Sequence, residues 1–120
     1  SAETLKYRGV RGYIVDGGCR DVDFILKLGF PVFCKYFTPS DVVCRWQVKT
    51  LGEPIKIGDL EIKSGDYVLG DIDGVVIIPN EIIDDVIIDT ENYINTESAL
   101  RKDILSGVDP KEAYLKYRLF

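Results

Sequence analysis

The chain has 120 residues, of which 46% are hydrophobic and 29% are charged, and its formal net charge is -5 at pH 7. Disordered chains contain fewer apolar residues and membrane proteins contain longer apolar runs, so this composition predicts one soluble globular domain. The acidic balance argues against direct binding to nucleic acid, because phosphate backbones attract clustered Lys and Arg.

The first forty residues are predicted to alternate between helix and strand. Residues 2–8 contain helix formers and stop before a glycine. Residues 13–15 are an apolar run that predicts a buried strand, and Asp16-Gly17-Gly18 after it is a turn signal. Apolar side chains recur at helical spacing over residues 21–28, and residues 31–37 predict a second strand. A strand, a helix and a strand in this order imply parallel pairing.

Further short strands are predicted in the middle of the chain. Residues 41–48 are expected to form a strand in which Trp46 is largely buried. Turn signals containing glycine and aspartate then separate four apolar runs, at residues 55–57, 60–62, 67–69 and 75–78. These runs predict a β-meander or a small barrel.

The last third of the chain is predicted to be helical. A long helix begins after Asn80 and continues to about residue 105, and Asp109-Pro110 starts a final helix. The sequence contains no internal repeat and no linker-like change of composition. We therefore predict a single α/β domain over residues 1–120, with a core at 1–79 and a helical tail at 80–120.

The residue types limit the available chemistry. The chain contains no His, which removes the commonest general base, so catalysis must use carboxylates, Arg, Lys, Tyr or a hard metal. Oxygen ligands with few protein contacts favour Mg²⁺ over Zn²⁺. Cys19, Cys34 and Cys44 match neither a metal pair nor a disulfide framework, which indicates free thiols. No signal peptide or membrane-length apolar run is present, so we expect a cytoplasmic protein without a membrane partner.

The stretch from Asp16 to Asp21 is the strongest candidate site, because it follows a predicted buried strand, where open α/β sheets bind their ligands. Gly17 and Gly18 allow backbone amides to approach a substrate closely. Arg20 offers a planar fork that matches a carboxylate, and Asp21 offers a hard oxygen to Mg²⁺. Alternatively, the glycines form only a turn and Asp21 is only a carboxylate at a helix start. The residues alone leave both interpretations open.

Other reactive side chains are expected to be structural. Lys35 lies in an alternating strand, where a solvated charge is the ordinary outcome. Asp71 and Asp73 lack the complete spacing and the Glu of an EF-hand, so we expect a turn between strands. Cys19 lies within the candidate site but has no base partner, so we expect it to pack as a small apolar residue.

Four ordered motifs between residues 5 and 79 resemble the RraA-like family. They are residues 12–21, Leu28-Gly29-Phe30-Pro31-Val32-Phe33, Gly65-Asp66 and Gly70-Asp71-Ile72-Asp73-Gly74-Val75-Val76. The resemblance implies a β/β/α swivelling-domain-like layered fold, here with a C-terminal helical extension. The family includes 4-hydroxy-4-methyl-2-oxoglutarate and 4-carboxy-4-hydroxy-2-oxoadipate aldolases, some with oxaloacetate decarboxylase activity, and regulators that bind ribonuclease E.

The resemblance implies a class II pyruvate aldolase, a lyase that uses Mg²⁺ or Mn²⁺ to stabilise an enolate. Arg20 would be catalytic and grip the pyruvyl carboxylate or keto oxygen, and Asp21 would hold the cation directly or through water. Gly17 and Gly18 would bind the substrate, a small 4-hydroxy-2-oxo acid. A regulator of ribonuclease activity without catalysis is the alternative, and the helical tail resembles the aldolase-type members more closely.

The resemblance also implies partner chains. In family members a glycine-rich loop with an acidic residue precedes the helix before Gly9, and this sequence starts after that loop. We expect a companion chain to supply the missing segment, and a truncated product or a non-catalytic binding subunit are the alternatives. Family members are usually trimers or hexamers, so the chain is expected to form a homo-oligomer.

Overall fold

The computed structural model of the protein describes residues 1–119. They divide into two compact units, Ser1–Pro79 and a second unit that begins at Asn80. The elements of the first unit are α1 Ala2–Tyr7, β1 Tyr13–Cys19, α2 Val22–Leu28, β2 Val32–Phe37, β3 Ile55–Ile57, β4 Leu60–Ile62, β5 Tyr67–Gly70 and β6 Val75–Ile78. The mixture of helices and strands confirms the predicted α/β class. That the whole chain is a single domain stays a prediction.

Strands β1 and β2 pair in parallel, as the order of elements predicted. The register is regular as far as the pair Val15 and Cys34. It then shifts by one residue, so that Gly18 lies opposite Tyr36. Strand β1 therefore contains one extra residue, a β-bulge of the kind that re-aims side chains near functional sites. The turn predicted for Asp16-Gly17-Gly18 was wrong, because pairing with β2 keeps these residues in the strand.

Two short helices flank this parallel pair. Helix α1 ends as predicted, and Gly9 after it has a φ of 83°, a left-handed conformation that glycine adopts easily at helix ends. Helix α2 begins at Val22 because Asp21 has φ 60° and ψ 35°, which is left-handed and cannot start a right-handed helix. The Lys6 Nζ atom donates a hydrogen bond of 2.5 Å to the Leu28 carbonyl oxygen, which links α1 to the C-terminal end of α2.

A small core lies among α1, α2 and the parallel pair. Its buried residues are Ala2, Cys19, Ile25 and Phe30, with Leu5, Tyr13, Leu28, Val32 and Cys34 packed against them. The rings of Tyr13 and Phe30 have centroids 5.8 Å apart and are tilted by 51°. Because Cys19 is the last residue of β1 and is buried here, the core holds the end of that strand in place beside Arg20.

The segment after β2 is not a strand. The strand predicted for residues 41–48 was wrong, and Trp46, which was expected to be buried, is 69% exposed. The Asp41 Oδ1 atom accepts a hydrogen bond of 2.9 Å from the Val43 N–H, and the Val42 carbonyl accepts one of 3.1 Å from the Trp46 N–H. A hydrogen bond from the backbone to a side chain, such as the one to Asp41, offers the backbone an alternative to the hydrogen bonds of a sheet. Asp41 therefore closes a turn.

The four remaining strands form two separate antiparallel hairpins, β3 with β4 and β5 with β6. Their bounds agree with the predicted ones to within one residue, but the predicted meander or barrel is wrong for the described chain, because the hairpins are distinct two-stranded sheets. Between them the Lys63 N–H donates to Asp66 Oδ2 over 2.8 Å, and the Asp66 N–H donates to the Lys63 carbonyl over 3.2 Å. The backbone N–H groups of Lys63 and Asp66 therefore form hydrogen bonds within the turn and do not pair with another strand.

The second unit is the predicted helical extension. It contains a 3₁₀ turn at Asn80–Ile82, α3 Ile83–Leu105 and α4 Pro110–Tyr117. Asp109 caps α4, because its Oδ1 atom accepts from the N–H groups of Lys111 and Glu112 over 2.9 and 3.3 Å. None of the helices in the described part of the chain is both long enough and apolar enough to cross a membrane.

The two α-helices of this unit are joined by a partly buried polar cluster. Asp103 of α3 accepts hydrogen bonds from Lys116 Nζ at 2.7 Å and from the Tyr117 hydroxyl at 2.9 Å, both on α4. Lys116, and then Tyr117, hold the pKa of Asp103 below its usual value. Ala113 of α4 has no exposed surface at all. The cluster and this small buried residue together hold α4 against α3.

Candidate functional site

A cleft of about 820 Å³ opens at the carboxyl end of β1, between α1, the start of α2 and the turn after β2. Its charged lining side chains are Glu3, Arg20, Asp21, Asp23 and Asp41. Lys27 pairs with Asp23 over 2.7 Å, which leaves three carboxylates around one guanidinium. This net negative charge favours a cation in the cleft and disfavours an anion that binds without a cation. The cleft also has open access to solvent, as a small-molecule site requires.

The structure brings Gly18, Arg20 and Asp21 together in the lining of this cleft, whereas Gly17 is not part of the lining. Neither glycine has a positive φ, so the backbone conformation alone does not require glycine at either position. Whether their amides bind substrate stays a prediction.

The close approach of Gly18 to its neighbours gives that glycine a packing role. A Cβ atom at Gly18 would lie 2.6 Å from Cε2 of Tyr36 and 2.8 Å from Cγ2 of Thr38, both closer than van der Waals contact. A Cβ atom at Gly17 would meet only a methyl group of Val15, at 3.9 Å. Packing beside β2 thus explains a glycine at position 18 but not at position 17.

The guanidinium of Arg20 is held by two carboxylates. Its Nε atom donates to Asp21 Oδ2 over 3.1 Å, and its Nη1 atom donates to Asp41 Oδ2 over 2.7 Å. The hydrogen bonds to Asp21 first, and then to Asp41, raise the pKa of Arg20. No described residue accepts a hydrogen bond from Nη2. Three of the five N–H groups of an arginine therefore remain for a ligand.

Asp21 occupies an unusual backbone position. It precedes α2 in the left-handed region, yet its side chain makes no capping hydrogen bond to that helix. Residues other than glycine adopt this region rarely, Asp and Asn more readily than most, and such positions are often found at functional sites. The side chain is 62% exposed, and only its Oδ2 atom is bonded to a described residue, Arg20. The carboxylate therefore faces solvent with a free oxygen and does not serve as a helix cap.

Asp41 belongs to the same cluster and was missed by the sequence analysis, which placed it in a strand. Its bond to the Val43 N–H, and then its bond to Arg20, hold the pKa of Asp41 below its usual value. The missed signal was Thr38-Pro39-Ser40-Asp41, a run of residues typical of turns. Nothing in the sequence indicates the partner of Asp41, because 21 positions separate it from Arg20.

The donor set fits a weakly coordinated hard cation. Within residues 1–119, no three Cys, Asp or Glu side chains gather closely enough to hold a metal ion by themselves. Mg²⁺ is commonly bound by one or two carboxylates, with waters and substrate oxygens completing its shell. Asp21, with one oxygen unbonded at the edge of an acidic cleft, suits Mg²⁺ or Mn²⁺ in that form.

The reactive side chains that were expected to be structural have ordinary surroundings. Lys35 forms an exposed ion pair with Asp16, with Nζ and Oδ1 2.5 Å apart. All three cysteines are free thiols, as predicted. Cys19 is buried, and burial raises the pKa of Cys34. The Asp71 side chain accepts from the Asp73 N–H over 2.8 Å and closes the turn between β5 and β6.

Comparisons with known proteins agree with this fold. Residues 1–77 match the family model described as RraA-like, Aldolase/RraA. The chain is 34% identical over 116 residues to an uncharacterised protein of Methanocaldococcus jannaschii, covering 89% of this chain and 51% of the relative. It is 31% identical over 115 residues to a protein of Halalkalibacterium halodurans provisionally named as a 4-hydroxy-4-methyl-2-oxoglutarate aldolase, covering 96% of this chain and 53% of the relative.

A solved structure shares the fold. The crystal structure of an uncharacterised protein from Pseudomonas syringae pv. tomato superposes with a TM-score of 0.87 at 25% identity, covering 92% of this chain and 56% of that one. The chain thus spans about half the length of the curated relatives and of the solved structure that it matches.

Proposed function

The chain belongs to the RraA-like family, and we propose that it forms part of a metal-dependent aldolase that releases pyruvate from a 4-hydroxy-2-oxo acid. The observation that carries the proposal is the joint position of Arg20 and Asp21 in one cleft. Arg20 keeps three N–H groups for an anion, and Asp21 keeps one oxygen for a cation. The aldolase name of a relative that is 31% identical supports the same chemistry.

In this proposal Arg20 binds the carboxylate of the pyruvyl unit. A guanidinium offers parallel N–H donors that match the two oxygens of a carboxylate, which orients the substrate as well as holding it. Because its Nε and Nη1 atoms are already hydrogen-bonded, the arginine side chain loses little conformational entropy when substrate binds. Arg20 therefore acts by placing the 2-oxo acid group, and with it the bond that breaks, at one defined position in the cleft.

Asp21 would hold the divalent cation, Mg²⁺ or Mn²⁺. When bound, the cation supplies positive charge for the oxygen that becomes negative as the carbon–carbon bond breaks. No lysine is needed to form a covalent adduct, which agrees with the pairing of Lys35 to Asp16. Oxaloacetate would be a second substrate, because loss of its distal carboxyl group leaves the same three-carbon unit.

We propose that the site works within a homo-oligomer, a trimer or a hexamer, in the cytoplasm. Many large apolar side chains of the first unit are more than half exposed, including Tyr7, Phe37, Val43, Leu51 and Ile72. Exposed apolar surface of this extent supports contacts with further protein chains, either copies of this one or a companion chain.

The experiment is an assay of pyruvate release from 4-hydroxy-4-methyl-2-oxoglutarate and from oxaloacetate, with every co-purifying chain retained. Addition of EDTA, or the Arg20→Ala substitution, should abolish release. The matched control is Arg8→Ala, which removes an exposed arginine directly after α1 that does not line the cleft, and should leave the rate unchanged. A folded preparation that releases no pyruvate with Mg²⁺ or Mn²⁺ would contradict the proposal and favour the regulatory alternative.

A further inference from the structure

Asp41 uses its two carboxylate oxygens for two different partners. Oδ1 accepts a hydrogen bond of 2.9 Å from the Val43 N–H, within the turn after β2. Oδ2 accepts one of 2.7 Å from Nη1 of Arg20, which follows β1. The first bond fixes the orientation of the carboxylate within its own turn. The second bond then holds the Arg20 guanidinium against this fixed carboxylate.

Arg20 would be poorly fixed without this contact. Among residues 1–119, its other hydrogen bond, through Nε, is to the adjacent residue Asp21, whose carboxylate is exposed. One hydrogen bond leaves the guanidinium plane free to turn about the bonded atom, whereas bonds at both Nε and Nη1 define the plane. The bond to Asp41 also comes from a different segment, the turn after β2. It therefore fixes the position of the guanidinium relative to β2 as well as to β1.

We propose that Asp41 is a positioning residue, which sets the plane of the Arg20 guanidinium so that its remaining N–H groups meet the substrate carboxylate. This inference rests on the proposed function, because it assigns a task to Asp41 within the same site. Asp41 touches neither the reacting bond nor the cation in this scheme. It acts through the arginine.

The two bonds explain why a carboxylate is required. Both oxygens of Asp41 accept hydrogen bonds, whereas an asparagine side chain has one accepting oxygen and one donating nitrogen. Asp41→Asn must therefore lose either the bond to Val43 or the bond to Arg20. If the amide nitrogen faces the guanidinium, two hydrogen-bond donors face each other and no bond can form. The substitution removes the positioning while it preserves shape and volume.

Stability is a poor explanation for this contact. The side chains of Arg20 and Asp41 are 44% and 56% exposed, and ion pairs with that much solvent contact contribute little to folding. Asp41→Asn is therefore expected to fold as the parent does. Its effects should be confined to the arginine and to the binding of anions by the arginine.

The first measurement is NMR of the Arg20 Nε–H group in the parent protein, in Asp41→Asn and in Glu61→Gln. The last is a matched control, since it neutralises one exposed carboxylate on β4, outside the cleft. Asp41→Asn should shift and broaden the Arg20 signal, because the guanidinium gains freedom, and Glu61→Gln should leave it unchanged. An unaltered Arg20 signal in Asp41→Asn would overturn the inference.

The second measurement is titration of pyruvate in the presence of Mg²⁺. Asp41→Asn should weaken binding on the order of tenfold, as is typical when a residue that orients a ligand-binding group is removed. The same change in an Arg20→Lys background should have no further effect. If Arg20→Ala weakens binding and Asp41→Asn does not, the inference on Asp41 fails while the proposed function stands. If the parent protein does not bind pyruvate, both fail.

Discussion

Substitution of the two neighbouring glycines of β1 by alanine should have opposite effects on stability. A Cβ atom at Gly18 would lie 2.6 Å from Tyr36 and 2.8 Å from Thr38, so these side chains must move by several tenths of an ångström or more. Overpacking of this kind costs about 1–3 kcal/mol. Tyr36 is 59% exposed and can turn partly into solvent, which places the cost near the lower end. We expect Gly18→Ala to lose about 1 kcal/mol of unfolding free energy.

Gly17→Ala is the matched control, because its Cβ atom would meet nothing closer than 3.9 Å. Replacing a glycine that has no positive φ restricts the unfolded chain and stabilises by about 0.4–1 kcal/mol. Urea unfolding followed by far-ultraviolet circular dichroism measures both changes. A Gly18→Ala protein as stable as Gly17→Ala would refute the packing explanation of Gly18, and the amide-binding role would then be its remaining explanation.

Three further predictions concern aspartates with different tasks. Asp21→Ala should lose about 1 kcal/mol in urea unfolding, because alanine tolerates the left-handed backbone poorly, whereas Asp21→Asn should keep its stability and still lose Mn²⁺ binding, measured by water-proton relaxation. Asp109→Ala removes the cap of α4 and should cost about 1 kcal/mol in the same unfolding assay. Asp103→Asn should lower the melting temperature at pH 7. Lys116 and Tyr117 hold the pKa of Asp103 below its usual value. The difference in melting temperature between the parent protein and Asp103→Asn should therefore shrink as the pH falls through that lowered pKa, and thermal melts at pH 7 and about pH 2 test it. A pH-independent difference would contradict the ion-pair account.

Local signals were sufficient for much of the fold. The hairpin strands lie between turn residues that act within four or five positions, and α4 begins at an aspartate whose side chain caps it. The parallel pairing of β1 and β2 followed from the order of elements. These features depend on neighbours in the sequence, which is why the pattern predicted them.

Features that depend on distant partners were not predictable. Asp16-Gly17-Gly18 has the composition of a turn, and only pairing with β2 keeps it extended with a bulge. Residues 41–48 alternate like a strand, but the Asp41 side chain closes a turn there and Trp46 stays exposed.

The candidate site divides in the same way. Arg20 and Asp21 lie within one motif and could be named from the sequence. Asp41 reaches Arg20 only because β1 and β2 are parallel and end side by side.

The central claim is that Arg20 and Asp21 form one site in which a cation and a 2-oxo acid bind together. Isothermal titration with oxalate, a planar dianion that resembles the enolate of pyruvate in charge and shape, tests it in the presence and absence of Mg²⁺. The account predicts that oxalate binds only with Mg²⁺, and that both Arg20→Ala and Asp21→Asn abolish this binding. Binding of equal strength without Mg²⁺, or undiminished binding in Asp21→Asn, would contradict it.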